Sequence, residues 1–262
     1  APHELDGSPP TYPVQERYKS LYQDMTIPQP ETADPVYWDS LPDFFRTDKN
    51  IGRERWKPLF STPALHQQTV QDYYRLITGV DEVVGKLRRQ LDSLGIADNT
   101  IIIFMGDNGF ALGEHGLEGK WFGFEESIRV PLIIYDPRNG KNKGGTEKRI
   151  ALNIDIAPTI AALAGLKITS PMQGIDLLAK HPQKRTQFFY EHTYLGSPRL
   201  PKIEGVVRKD IKYMKFTEHG YEQLYDLKKD PLEKQNLAAD SRYAKRLKQM
   251  QTEYSLLKEQ VK

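Results

Sequence analysis

Not one of the 262 residues is a cysteine. That absence removes disulfides, thiolate nucleophiles and cysteine-ligated metals together, and leaves the redox compartment open. No apolar run approaches the ~18 residues of a membrane-spanning helix, so no membrane partner is expected. A marked excess of charge of one sign is also missing. The 37 basic and 35 acidic residues leave a net charge of +2 spread along the chain, which gives no electrostatic reason to expect nucleic acid. There is no internal repeat and no low-complexity tract. What is present, 38% hydrophobic and 27% charged residues, suits a globular chain long enough for one large domain or two small ones.

The rest of the chain is organised around Thr100 to Lys120, TIIIFMGDNGFALGEHGLEGK. Thr100 to Phe104 reads as a buried strand, which Gly106-Asp107-Asn108-Gly109 breaks sharply. Asp-Asn-Gly after a strand is ordinary turn chemistry. It is equally a way to deliver two oxygen donors to the carboxyl end of a strand, where open α/β sheets bind ligands. Asp107 and Asn108 both suit a hard cation such as Ca²⁺ or Mg²⁺.

The continuation favours the second alternative. Leu112-Gly113-Glu114-His115-Gly116, Lys120, and Ser127-Ile128-Arg129-Val130-Pro131-Leu132 together resemble the sulfatases of the alkaline phosphatase-like superfamily. Members of that family follow a metal-binding Asp-Asn-Gly with a Leu-Gly-Glu-His-Gly loop, a sulfate-binding Lys and a Ser-x-Arg-x-Pro-Leu strand. The opening Ala1-Pro2-His3 resembles a step that the family carries in mid-domain, and Tyr18 to Asp24 resembles the Tyr-x-x-Leu-Tyr-x-Asp string that comes after it. The resemblance implies the C-terminal portion of a sulfatase, with the missing N-terminal half as its partner. No Cys-x-Pro-Ser-Arg or Ser-x-Pro-Ser-Arg string occurs. The formylglycine nucleophile that the family makes from the first residue of that string is therefore expected in the absent region, and the isolated chain is expected to be inactive.

The implied fold is α/β: a partial alkaline phosphatase-like sheet over residues 1–184, then a small antiparallel-sheet subdomain with a C-terminal helix over 185–262. Residues 1–63 are rich in proline and aromatics without a sustained period, and read as a surface excursion with short helices around Glu16 to Tyr22 and Pro42 to Phe45. Thr62, Pro63 and Gly95 bound a long helix. Its stripe of Tyr73, Ile77, Val80, Val84, Leu87, Leu91 and Leu94 is expected to face the sheet. Helix, strand, loop and the strand Val130 to Tyr135 then suggest a parallel unit. Asn153 to Thr159 opens another helix, ended by Gly165 and assigned to architecture. Four short runs, Gln187 to Tyr190, Gly205 to Arg208, Ile211 to Phe216 and Gln223 to Leu227, predict an antiparallel sheet. A last helix with Tyr243, Leu247, Met250, Tyr254, Leu257 and Val261 on one stripe would cover it.

Cleaving a sulfate ester requires charge on the sulfuryl oxygens to be held and the leaving alkoxide to be protonated or stabilised. Carried over position by position, the resemblance makes Asp107 and Asn108 metal ligands, Lys120 a sulfate contact and His3 a sulfate ligand or leaving-group acid. His115 either lines the pocket or braces the glycine turn. Glu191, His192 and Arg199 are candidates for contacting the sugar, and Glu126 and Arg129 are read as structural. The expected substrate is a sulfated glycan or related sulfate ester. The alternatives are a phosphatase or phosphodiesterase of the same superfamily, or a non-catalytic remnant that binds glycan or a complementary chain. With no Asn-x-Ser/Thr sequon, a periplasmic or secreted location is expected.

Overall fold

The longest element is set by its two ends. Thr62 is extended and its Oγ1 accepts the Leu65 N–H at 3.2 Å, Pro63 takes the first helical position, and Gly95 at φ +67° turns the chain out. Between them one helix, α3, runs Pro63–Ser93. The computed structural model to which it belongs describes residues 5, 7, 10–139, 144–167, 171–181 and 183–261. His3 lies outside them. The chain divides into two compact units, one made of 1–142 with 192–203 and 217–219, the other of 143–191, 204–216 and 220–262.

In the first unit, two helices precede α3: α1, Pro35–Asp39, and α2, Ile51–Phe60. Neither is expected from periodicity. Asn50 starts α2 by accepting the Gly52 N–H at 3.0 Å while its own amide donates to the Phe45 carbonyl at 3.1 Å. The expected short helices reduce to a 3-10 turn at Glu16–Tyr18 and a hydrogen-bonded turn at Pro42 to Phe45. The buried part of α3 is its first half, where Tyr12, Leu59, Phe60 and Val70 form a core. Polar anchors surround that core: Thr69 donates to the Leu59 carbonyl, Gln71 to Tyr22 and Arg75 to Leu21.

Two expectations fail here. The apolar stripe of α3 is only partly covered: Tyr73 packs against that core and Val80, Val84 and Leu91 are half-buried, but Ile77, Leu87 and Leu94 are 44%, 50% and 60% exposed. The reason is width: the sheet beside it has two strands, β1 (Ile102–Met105) and β4 (Leu132–Tyr135), too few to cover a helix of 31 residues. Nor is the pair parallel. Ile102 faces Tyr135 and Met105 faces Leu132 in antiparallel register. The chain leaves β1 and returns at the same end, where the Gly106 N–H meets the Pro131 carbonyl at 3.2 Å, and only a crossover to the far end would make the strands parallel. The intervening segment holds β2 (Ala111–Leu112), β3 (Glu118–Gly119) and the single-turn helix α4 (Glu125–Ile128).

The second unit matches the sequence pattern closely. Helix α5, Ile156–Leu163, is anchored by Asp155, which is fully buried. Its carboxylate accepts from the Leu152 and Ile175 N–H groups and takes two bonds, 2.6 and 2.7 Å, from the Arg185 guanidinium. Strands β5 (Gln187–His192), β6 (Ile203–Arg208), β7 (Lys212–Phe216) and β8 (Tyr221–Tyr225) lie in sequence order in one sheet, with β7 and β8 antiparallel. Helix α6, Ala244–Gln260, lays Met250 and Tyr254 into the core with Val206, Ile211, Tyr213 and Leu224. Lys212 and Glu233 form a fully buried pair at 2.7 Å. Among the described residues, no helix is long and apolar enough to cross a membrane.

Candidate active site

The site is assembled by a hairpin of two-residue strands. Ala111 pairs with Gly119 and Leu112 with Glu118, so the residues just before β2 and just after β3 emerge at the same end. Phe110 comes just before β2, with Asp107-Asn108-Gly109 ahead of it, and Lys120 comes just after β3.

Ser127 ties the two arms together. Its carbonyl accepts the Gly109 N–H at 2.9 Å and its hydroxyl reaches the Gly119 carbonyl at 3.4 Å, from a buried position on α4. Gly109 has no alternative: a Cβ there would overlap the Glu126 carbonyl oxygen and come within 2.7 Å of that of Arg129. The turn therefore presses backbone to backbone against α4, a contact that only glycine permits.

At this end Asp107 is exposed and Asn108 half-buried. The Asn108 Nδ2 donates to the Gly109 carbonyl at 2.8 Å, which commits the amide nitrogen and leaves Oδ1 as the acceptor end. A carboxylate and an amide oxygen on consecutive residues fit a hard divalent cation and suit thiophilic or imidazole-preferring metals poorly. Two side chains are a fraction of the ~6–8 oxygens that Ca²⁺ takes. Among the described residues no cluster of three or more His, Cys, Asp or Glu could complete the shell.

The opposite end of the hairpin is closed by Gly113 to Gly116. Gly113 and Gly116 both have positive φ, and His115 itself sits in the left-handed region at φ +54°. His115 is 3% exposed, its ring stacks on Phe124 with centroids 3.9 Å apart, and Nε2 lies 3.9 Å from a Glu126 carboxylate oxygen. The ring packs behind the turn, against Phe124. Glu114 accepts the Leu112 N–H at 2.5 Å, and burial pushes its carboxyl above the ordinary range against the pull of that bond.

The loop is cradled by residues that periodicity and motifs do not single out. Gly52 of α2 lies against Phe122, the Glu118 carbonyl and Leu117, Phe60 against Gly113, and Trp38 of α1 against Gly116. Arg53 donates to the Gly116 carbonyl at 2.9 Å. The one sequence signal for this cradle is Asn50, a helix-capping residue ahead of Arg53 and Trp56 at i,i+3 spacing.

Arg199 joins the same helix. Its carbonyl accepts the Ile51 N–H at 3.1 Å and its guanidinium, 54% exposed, stands 3.6 Å from Glu54. His192 ends β5 with its Nδ1 buried and without a hydrogen-bond partner among the described residues, and burial lowers its pKa. Of the expected site residues, Asp107 and Asn108 lie on the arm that leads into β2 and Lys120 directly follows β3. His115 lies at the other end of the hairpin, Arg199 touches the first turn of α2, and among the described residues no hydrogen bond or ion pair joins His192 to them.

Comparison with known proteins gives two family matches: the Sulfatase model over residues 1–166 and the model described as N-sulphoglucosamine sulphohydrolase, C-terminal, over 113–260. An N-acetylglucosamine-6-O-sulfatase of Bacteroides thetaiotaomicron is 32% identical over 244 residues, covering 89% of this chain and 42% of that protein. An arylsulfatase of Clostridium perfringens is 31% identical over 236 residues, 88% of this chain and 47% of that one. The chain thus spans less than half the length of these curated relatives. A protein solved in complex with its substrate D-glucosamine-2-N,6-O-disulfate superposes with a TM-score of 0.74 and 25% identity, over 94% of this chain and 62% of that one.

Proposed function

The chain belongs to the sulfatase family, and on that premise we propose that it forms part of a sulfuric ester hydrolase acting on sulfated glycans. The observation that supports this reading is the β2–β3 register, which returns the chain to the same end of a hairpin, with Asp107 and Asn108 upstream of β2 and Lys120 directly after β3. An anion bound at that end would meet the ammonium directly. A hard cation held by Asp107 and Asn108 would neutralise further charge on the sulfuryl oxygens. Ca²⁺ and Mg²⁺ both suit that donor pair.

His3 would bind sulfate or give its proton to the leaving oxygen. Arg199 and His192 would contact the sugar, the first as an exposed cation, the second as a neutral imidazole. The remaining metal ligands and the nucleophile, a formylglycine by family resemblance, would come from sequence outside these 262 residues. The uncovered stripe of α3 supports such a complement. So do Ile133 and Tyr135 of β4, 60% and 50% exposed on the neighbouring strand, with Arg88 of α3 over the Tyr135 ring. A periplasmic or secreted protein is the location proposed.

A sulfated glucosamine is the first substrate to try, since one relative is named for N-acetylglucosamine-6-O-sulfate and one related structure holds a glucosamine disulfate. The test is sulfate release from a panel of sulfated mono- and disaccharides by the full-length protein and by the 262-residue chain alone. Turnover by the former and none by the latter is expected. Preference for phosphate monoesters over every sulfate ester would overturn the assignment, and turnover by the isolated chain would overturn the division of the site.

A further inference from the structure

We propose that Arg53 is a positioning residue for Lys120: its guanidinium, stacked between Trp38 and Trp56, holds the Gly116 carbonyl and so fixes where the β2–β3 hairpin delivers the ammonium. The proposal rests on the reading of Lys120 as the anion contact.

The guanidinium carbon lies 4.5 Å from the Trp38 ring centroid and 3.8 Å from that of Trp56. Trp56 is on the same helix as Arg53, one turn on, and Trp38 comes from α1, so two elements fix the plane of the fork before it meets the loop. From that plane Nη1 reaches the Gly116 carbonyl at 2.9 Å. Contact between arm and loop is so close that a Cβ on Gly116 would sit 2.7 Å from Nη1 and 3.0 Å from the Trp38 Cβ. Burial pulls the Arg53 pKa down, and the nearby carboxylates of Asp39 and Asp48 pull it back up. The group keeps its charge, and a charged donor on a carbonyl is among the stronger hydrogen bonds in a protein.

The segment after Gly116 transmits that constraint. Leu117, Glu118 and Gly119 are buried, and the last two are paired to β2. Gly119, at φ +104°, is packed under the Trp121 ring. Lys120 comes next, four residues from the clamped carbonyl, on a stretch of chain that has no slack. Arg53 reaches the loop at Gly116 and not at Lys120, Asp107 or Asn108. Its influence would run through the backbone of the hairpin.

A double-mutant cycle in the full-length enzyme distinguishes positioning from general support. Arg53→Ala is expected to raise KM for a sulfated glucosamine, and the inhibition constant of inorganic sulfate, by about tenfold, with kcat changed less and the melting temperature lowered by the loss of the Gly116 bond while the chain stays folded. Arg53→Lys should recover little of this, because an ammonium has no plane to lie between two indoles. In a Lys120→Ala background, adding Arg53→Ala should cost nothing further in sulfate affinity. Equal losses in both backgrounds, or no loss in either, would overturn the proposal for Arg53 while leaving Lys120 in place. If Lys120→Ala alone leaves sulfate affinity unchanged, the anion role of Lys120 falls and the role of Arg53 falls with it. Should Arg53→Ala not fold, amide hydrogen exchange in Arg53→Lys decides: faster exchange confined to Gly113 to Gly119 supports the clamp, and unchanged exchange there refutes it.

Discussion

Gly109 has no room for a methyl group, and the consequence reaches beyond one turn. Its contact with the backbone of α4 is what brings the Asp107-Asn108 arm against Ser127, whose hydroxyl bonds the Gly119 carbonyl just before Lys120. Gly109→Ala is therefore expected to destabilise the chain by at least about 2 kcal/mol, as overpacking against backbone does, measured by urea unfolding. Gly95→Ala, where nothing lies within 4 Å but φ is +67°, should cost only about 1 kcal/mol. Two buried titratable residues, His66 and Asp155, act at different pH. His66 is 3% exposed, and burial lowers its pKa. The folded chain thus binds its proton less readily than the unfolded chain does. Its stabilising share is complete above the unfolded value of about 6.5 and declines as the pH falls below it. Asp155 is subject to burial, which raises its pKa, but the Arg185 guanidinium and two backbone N–H groups outweigh that and hold it below the ordinary range. Its contribution is present at neutral pH and is lost only as the pH drops through about 3.9 and lower. Thermal melts between pH 7.5 and 5 should fall for the wild type and stay flatter for His66→Phe. Equal slopes would mean that His66 is not buried neutral.

At the scale of elements, what could be read from the sequence was whatever is encoded locally. Helix α3 declares itself by Thr62, Pro63 and Gly95, and α6 by its stripe, because capping and 3.6-residue periodicity are properties of neighbouring residues. Helix α2 does not, since it carries Pro58 in its interior and its apolar side chains divide between the core formed with Tyr12 and Val70 and the 113–119 loop, some 60 residues away. The antiparallel pairing of β1 with β4 was hidden for the same reason. It is decided by the chain coming back at Pro131, and no residue of either strand encodes it. The motif residues were legible individually, but the hairpin register between the Asp107-Asn108 arm and the Lys120 arm was not, since two strands of two residues carry no alternation. Thr62→Ala should cost about 1 kcal/mol by loss of the cap on Leu65. Leu87→Glu with Leu94→Glu should alter the stability of the 262-residue chain by no more than about 0.5 kcal/mol per site, since both are already half-exposed or more. In the full-length protein the same pair should cost several times that, if a complementary segment covers α3. A large loss in the isolated chain would mean that the stripe is covered by this chain itself.

For the molecule as a whole, a family match over most of the chain coexists with a length below half that of the curated relatives. On the proposed reading, a donor set at Asp107-Asn108 that is completed by further sequence and the exposed apolar residues of α3 would have one cause. Calorimetry on the isolated chain should accordingly find Ca²⁺ affinity no tighter than about millimolar, and a micromolar dissociation constant would mean that the ligand shell is complete without further sequence. The most direct test is sulfate release from 6-O-sulfated glucosamine by full-length protein carrying Asp107→Ala. Loss of turnover with an unchanged melting temperature is expected. Turnover equal to wild type would remove the Asp-Asn-Gly turn from the site.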